Sequence, residues 1–154
     1  MTAAIRTTAR AERRAQRRST KAQHLIVADE GSLAELEAAL ATLPLCATGR
    51  VFVEVPDTES ISTVTVPPRM TVTWLPRDSR AGELGTGRRC ARGTAAARAA
   101  IAWSDEMLCD GVGEHTTVTL LCGFLGTADI AEHLRERLGM DAGRITVPER
   151  FGLL

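Results

Sequence analysis

Tyrosine is absent from this 154-residue chain, and aromatic residues make up only 3% of it. An aromatic core is therefore excluded, and the 44% of apolar residues must pack as Leu, Val, Ile and Ala. The cysteines are few as well. Cys46, Cys90, Cys109 and Cys122 form no Cys-x-x-Cys pair and no Cys/His cluster with metal-ligand spacing, so no metal site is expected. Cys46 and Cys122 lie beside apolar runs and are expected to act as small core residues. No apolar stretch approaches bilayer length and no signal-peptide core is present, so a reduced, cytoplasmic protein without a membrane partner is expected. Lysine occurs once against 18 arginines, with abundant Ala and Gly, a compositional bias without functional weight. No nucleophile–base pair stands out. His24, His115 and His133 are isolated, with His133 expected on a solvated helix face, and Ser32 has no nearby histidine, so nothing points to a hydrolase.

Net charge is zero, but its sign is segregated. Residues 1–23 carry seven basic side chains against Glu12 alone, and residues 24–154 carry 12 basic against 18 acidic. A basic arm thus precedes an acidic body. The arm has almost no large apolar residues with which to bury a face. The body lacks the positive patch that nucleic-acid binding requires. At this length one domain is expected, over residues 24–154.

Within that body, apolar runs alternate with helical patterns. Leu25-Ile26-Val27-Ala28 reads as a strand buried on both faces. Ser32 and Glu35 match a capping box, followed by Leu33, Leu36, Leu40 and Leu43 at helical spacing, with Pro44 as the stop. Strands are expected over residues 50–55, 63–66, 70–75, 116–122 and 145–147, and an Ala-rich helix over residues 93–103. Residues 77–92, rich in Gly and Arg, read as a loop, and residues 110–114 as a turn. Gly123-Phe124-Leu125-Gly126 reads as a tight connection. Thr127 would cap a helix striped by Ile130, Leu134 and Leu138 and ended by Gly139, with Asp129 in its first turn. Strands alternating with helices imply a three-layer, Rossmann-like α/β domain with a mainly parallel sheet.

Such sheets bind ligands at the carboxyl ends of their strands, where strand order reverses. Three loops are placed there. In the first, Asp29, Glu30, Gly31 and Ser32 read either as a phosphate-binding helix start, with Gly31 and Ser32 as backbone donors, or as an ordinary capped start whose two carboxylates repel phosphate. In the second, Trp74 reads as pocket lining or as packing, and Arg77 and Arg80, with Arg88 and Arg89, as phosphate ligands or as a solvated basic loop. In the third, Cys122, Gly123, Phe124, Gly126 and Thr127 offer close backbone approach and a ring that either stacks on a ligand or fills the core.

These motifs, in this order, resemble the C-terminal domain of siderophore-interacting proteins, flavin-dependent ferric-siderophore reductases that use a nicotinamide dinucleotide. The carrying segments are Ala28-Asp29-Glu30-Gly31-Ser32 and Leu43-Pro44, Glu54-Val55, Val72-Thr73-Trp74-Leu75-Pro76-Arg77, Cys122-Gly123-Phe124 with the helix after it, and Pro148-Glu149-Arg150-Phe151-Gly152. The resemblance implies a ferredoxin-reductase C-terminal-like fold, NADPH or NADH as weakly bound cofactor, and a cofactor site formed by the three loops with Arg150. It implies a link to siderophore and iron utilisation. Only 23 residues precede the first strand, and without Tyr there is no Arg-x-Tyr-Ser/Thr flavin motif. This chain is therefore expected to bind no FAD and to need a separate flavoprotein partner for oxidoreductase activity. The sequence also departs from the family pattern. Phe124 stands where the family has Glu, Pro76 where it has His, and Glu149-Arg150 where it has two aromatics. These changes favour a rival reading, a non-catalytic interaction or regulatory module that has lost nucleotide binding. The arm reads as a tether for nucleic acid or an acidic protein, or as a mischosen translation start without function.

Overall fold

The structure, a computed structural model, describes residues 22–108 and 115–153. The arm up to residue 21, Cys109 and the turn expected at residues 110–114 lie outside the described residues.

Five strands form one sheet: β1 (Gln23–Asp29), β2 (Thr48–Val55), β3 (Arg69–Pro76), β4 (Thr116–Leu120) and β5 (Ile145–Thr146). Their order is β3-β2-β1-β4-β5, and every pairing is parallel. Helix α1 (Leu33–Ala41) follows β1, α2 (Thr94–Met107) follows β3, and α3 (Phe124–Glu132) follows β4 and continues as a wider turn over His133–Arg137. Parallel neighbours need crossovers, and the apolar stripes of the helices cover both faces of the sheet.

The central strand shows why both faces are apolar. Leu25 and Val27 point to one side, where they meet Ala96, Ala100, Trp103, Ile130 and Leu134 of α2, α3 and the turn after it. Ile26 and Ala28 point to the other side, against Leu36 and Leu40 of α1. Ala95, Ala96, Ala97 and Ala100 form the small buried face of α2. Its start also meets the start of α3 closely. Gly93 has φ 86°, and a Cβ built on Gly126 would lie 3.1 Å from the Gly93 carbonyl oxygen. Gly93 is thus constrained twice, by its left-handed backbone and by its neighbour.

Several local expectations are corrected. Residues 63–66 join no ladder. Val64 and Val66 instead lay their side chains on the α1-side core, so apolar contact replaces strand pairing. The capping box does not form: the Ser32 hydroxyl turns back to Asp29, and Glu35 lies 3.7 Å from Arg150. α3 starts three residues before Thr127, with Gly123 as its N-cap. Thr127 is therefore an interior residue whose hydroxyl donates to the Cys122 carbonyl at 2.9 Å, and Asp129 falls beyond the first turn. Phe124, Leu125 and Gly126 are helical rather than a tight connection. Cys46 is exposed because it lies in the turn after α1, off the core. His133 is not isolated: its Nε2 lies 2.6 Å from Asp105 Oδ1, tying α3 to α2.

Candidate functional site

The register sets the chemistry of the sheet's carboxyl edge. Asp29 stands opposite Glu54, and Glu54 opposite Leu75, which is followed two residues later by Arg77. The chain runs outward from β1 to β2 and β3 on one side and to β4 and β5 on the other. Strand order reverses between β1 and β4, and the region beyond their carboxyl ends is where open sheets of this kind form a ligand crevice.

Asp29 spans that crevice. It is 3% exposed, and its carboxylate is fully engaged. Oδ1 accepts from the Gly31 N–H at 2.9 Å and lies 3.4 Å from the Ser32 hydroxyl. Oδ2 accepts from the Gly123 N–H at 3.0 Å and from Arg92 at 3.2 Å. The Ser32 N–H goes to the Asp29 carbonyl at 3.0 Å. Gly31 and Ser32 are therefore not free donors for a phosphate, because Asp29 already takes both amides. The carboxylate also complements the positive end of α3.

Glu54 lies inside Val51-Phe52-Val53-Glu54-Val55, and only its place beside the start of α2 reveals its role. It is completely buried. Oε1 accepts from the Gly93 N–H at 2.6 Å and from Arg77 at 3.1 Å, and Oε2 accepts from the Ala96 N–H at 2.9 Å. Gly93 has no side chain to cap α2, so Glu54 caps it from the neighbouring strand.

Arg77 is held at the same edge. Its Nη1 and Nη2 grip the two oxygens of Glu30, each at 2.9 Å, and its side chain is 16% exposed. The Glu30 hydrogen bonds raise the Arg77 pKa, burial opposes them, and Glu54 adds to the rise. Burial pushes the Glu30 carboxyl up, but the Arg77 hydrogen bond and the charges of Arg77 and Arg92 outweigh it, so Glu30 titrates below its ordinary value. Arg92, which the sequence does not distinguish from its neighbours, completes the cluster. Its Nε lies 3.6 Å from Glu30 Oε1, and its side chain is 57% exposed. Three carboxylates thus face two guanidiniums, leaving one net negative charge.

The remaining expected residues separate into those at the crevice and those away from it. Trp74 packs half-buried on the α1-side core. Arg80 is exposed; it lines a 410 Å³ hollow with Cys90, Ala95 and Arg98, and its N–H donates to the Arg77 carbonyl at 3.2 Å. Arg88 and Arg89 are exposed in the same loop. Cys122 is buried beneath α3, and burial pushes its thiol up to about 11. Gly126 serves the contact with Gly93. Phe124 is 49% exposed, which removes it from the core, and it meets Phe151 edge-on with centroids 5.6 Å apart. Arg150 stacks over Phe151, 5.0 Å from its centroid. The C-terminal turn Glu149–Phe151 thus reaches both α3 and, through Glu35, α1.

What remains open is the first turn of α3. The first intrahelical bond there runs from the Thr127 N–H to the Gly123 carbonyl. The amides of Phe124 and Leu125 have no acceptor within the helix and belong to exposed residues, whereas Gly126 is buried against Gly93. Arg92 lies beside those two amides and the Phe124 ring is half exposed, with the Asp29 and Glu30 carboxylates at the same edge. Among the described residues, no group of three or more His, Cys, Asp or Glu could hold a metal ion, and no helix is long and apolar enough to cross a membrane.

Known proteins share this architecture. A siderophore utilization protein from T. fusca superposes with a TM-score of 0.61 at 24% identity, over 82% of this chain and 43% of that one. The siderophore-interacting protein SipS from Aeromonas hydrophila gives 0.57 at 15% identity, over 82% and 44%. The siderophore-interacting protein from Acinetobacter baumannii gives 0.58 at 12% identity, with the same coverage. This chain therefore spans less than half the length of these structures. No curated protein matches it. The family model described as siderophore-interacting protein matches residues 21–147, which includes every strand and every crevice residue except those of the C-terminal turn. By that match, this chain belongs to the siderophore-interacting protein family.

Proposed function

We propose that this chain is the nucleotide-side domain of a siderophore-linked iron-reducing system, placing NADPH or NADH against a flavin carried by a separate protein. The single observation that carries the reading is the open first turn of α3 at the β1/β4 reversal, flanked by Arg92 and the exposed Phe124. The family match supports the link to siderophores and iron. When bound, the dinucleotide supplies the hydride. The protein's part is placement: α3 amides and a guanidinium for one phosphate, and an aromatic edge for a ring. Binding is expected to be weak, with a dissociation constant of about 0.1 mM or higher, because the crevice carries a net negative charge. Calorimetric titration with both dinucleotides tests this. Sub-micromolar affinity contradicts the weak site, and no binding at millimolar concentration contradicts the nucleotide reading. The purified chain is expected to be colourless, and a flavin absorption band would contradict that.

A second reading, a non-catalytic interaction module, is favoured by one observation. Asp29 and Glu54 place the protein's own carboxylates on the starts of α3 and α2, where a bound anion would otherwise sit.

A further inference from the structure

We infer that Arg92, and not Arg77, is the guanidinium that contacts an anionic ligand in this crevice. The inference rests on the nucleotide reading above and deepens it.

The two arginines differ in what already holds them. Arg77 makes three short contacts with carboxylate oxygens, two to Glu30 and one to fully buried Glu54. A ligand phosphate could reach its terminal nitrogens only by displacing Glu30, and Glu54 would remain in place. Both sides of the Arg77 fork are spent on structure. Arg92 holds Asp29 through a single nitrogen at 3.2 Å and approaches Glu30 at 3.6 Å. More than half of its side chain is exposed.

Position separates them as well. Arg92 Nη2 and the Gly123 N–H converge on the same oxygen, Asp29 Oδ2, so the guanidinium sits directly beside the start of α3. It also lies over Gly31, where an added Cβ would come within 3.0 Å of Nη2. A phosphate on the open amides of Phe124 and Leu125 would therefore have Arg92 at its flank, with Asp29 behind both. Arg92 precedes Gly93, whose N–H is fixed by Glu54 at 2.6 Å, so its backbone is anchored while its side chain is exposed. An anchored main chain and an unsaturated side chain suit a residue that exchanges an internal contact for a ligand. Arg80, exposed in the neighbouring hollow, has no such relation to α3.

The test is calorimetric titration of NADPH and NADH into the full chain and into Arg92→Ala, Arg92→Lys and Arg77→Lys, with melting temperatures recorded for each. Arg92→Ala should weaken binding about tenfold or more, and Arg92→Lys by less, because charge remains but the planar fork is lost. Both should melt close to the wild type. Arg77→Lys should lower the melting temperature while a folded sample keeps its affinity within about threefold, since that residue supports the edge without touching the ligand. Wild-type affinity in Arg92→Ala overturns the assignment while leaving the nucleotide reading standing. Loss of affinity in folded Arg77→Lys with none in Arg92→Ala returns the role to Arg77. No binding to wild type at millimolar concentration overturns both the reading and the assignment.

Discussion

The two sides of the β1/β4 reversal are built from the same residue types and are finished differently. On the β2–β3 side, Glu54, Arg77 and Glu30 saturate one another and the start of α2. On the β4 side, α3 begins with an aromatic exposed to solvent, and Arg92 remains half-free. Buried polar groups have to be satisfied, and the first side satisfies them internally. The second leaves donors for something else. Saturation marks a residue that holds the fold, and on the proposed reading incompleteness at a strand's carboxyl end marks the ligand's place. Charge alone does not tell them apart.

If that contrast is right, substitutions on the saturated side act on stability. The largest effect is expected for Glu54→Ala, which strands two amide groups of α2 and removes a partner from Arg77. It should cost about 3–5 kcal/mol, read by chemical denaturation. A cost below about 1 kcal/mol would mean that the buried carboxylate is not the keystone of this edge. Arg77→Ala should cost less, about 2–3 kcal/mol, because Glu54 keeps its two amide donors and Glu30 relaxes toward solvent. Arg92→Ala, with its side chain more than half exposed, should cost about 1 kcal/mol or less.

Acid should unfasten the same side. Glu30 titrates below its ordinary value in the folded chain, so its contribution is present above pH 4.5 and is lost as pH falls through the lower folded value. Stability should therefore fall below pH 4.5, and Arg77→Ala should reduce that acid dependence. Equal acid slopes in the two proteins would remove the Glu30–Arg77 pair as its source.

The smallest effect sharpens the contrast from the core. Ser104 is fully buried, and among the described residues its hydroxyl has no partner. Ser104→Ala removes an unsatisfied group and adds helix propensity, so stability should hold or rise by up to about 1 kcal/mol. A clear loss would reveal a partner for the hydroxyl.

The sequence made the fold legible wherever one pattern sufficed. Leu25 to Ala28 is apolar at every position because β1 is covered on both faces, and Leu36 and Leu40 repeat at helical spacing because α1 buries one stripe. It misled where two local patterns compete. Ser32 with Glu35 has the spacing of a capping box, yet Asp29 is three residues before Ser32 and captures its hydroxyl. Thr127 resembles a cap, but Gly123 N–H is fixed by Asp29 and starts the helix earlier. Of the site, the loops around Asp29 and Gly123 were legible from strand-end position. The division of labour among the arginines was not. Arg77 and Arg92 are alike in sequence, and they differ because Glu54, one buried residue in an apolar run, stands next to one of them across the sheet.

The central claim is that the open β4 side receives the ligand, and mapping backbone amide shifts by NMR while titrating NADPH tests it most directly. Shifts concentrated on Phe124, Leu125 and Arg92, with Ala96 and Arg77 little changed, are the predicted result. Shifts centred on Arg77 and the start of α2, or in the hollow beside Arg80, would contradict it.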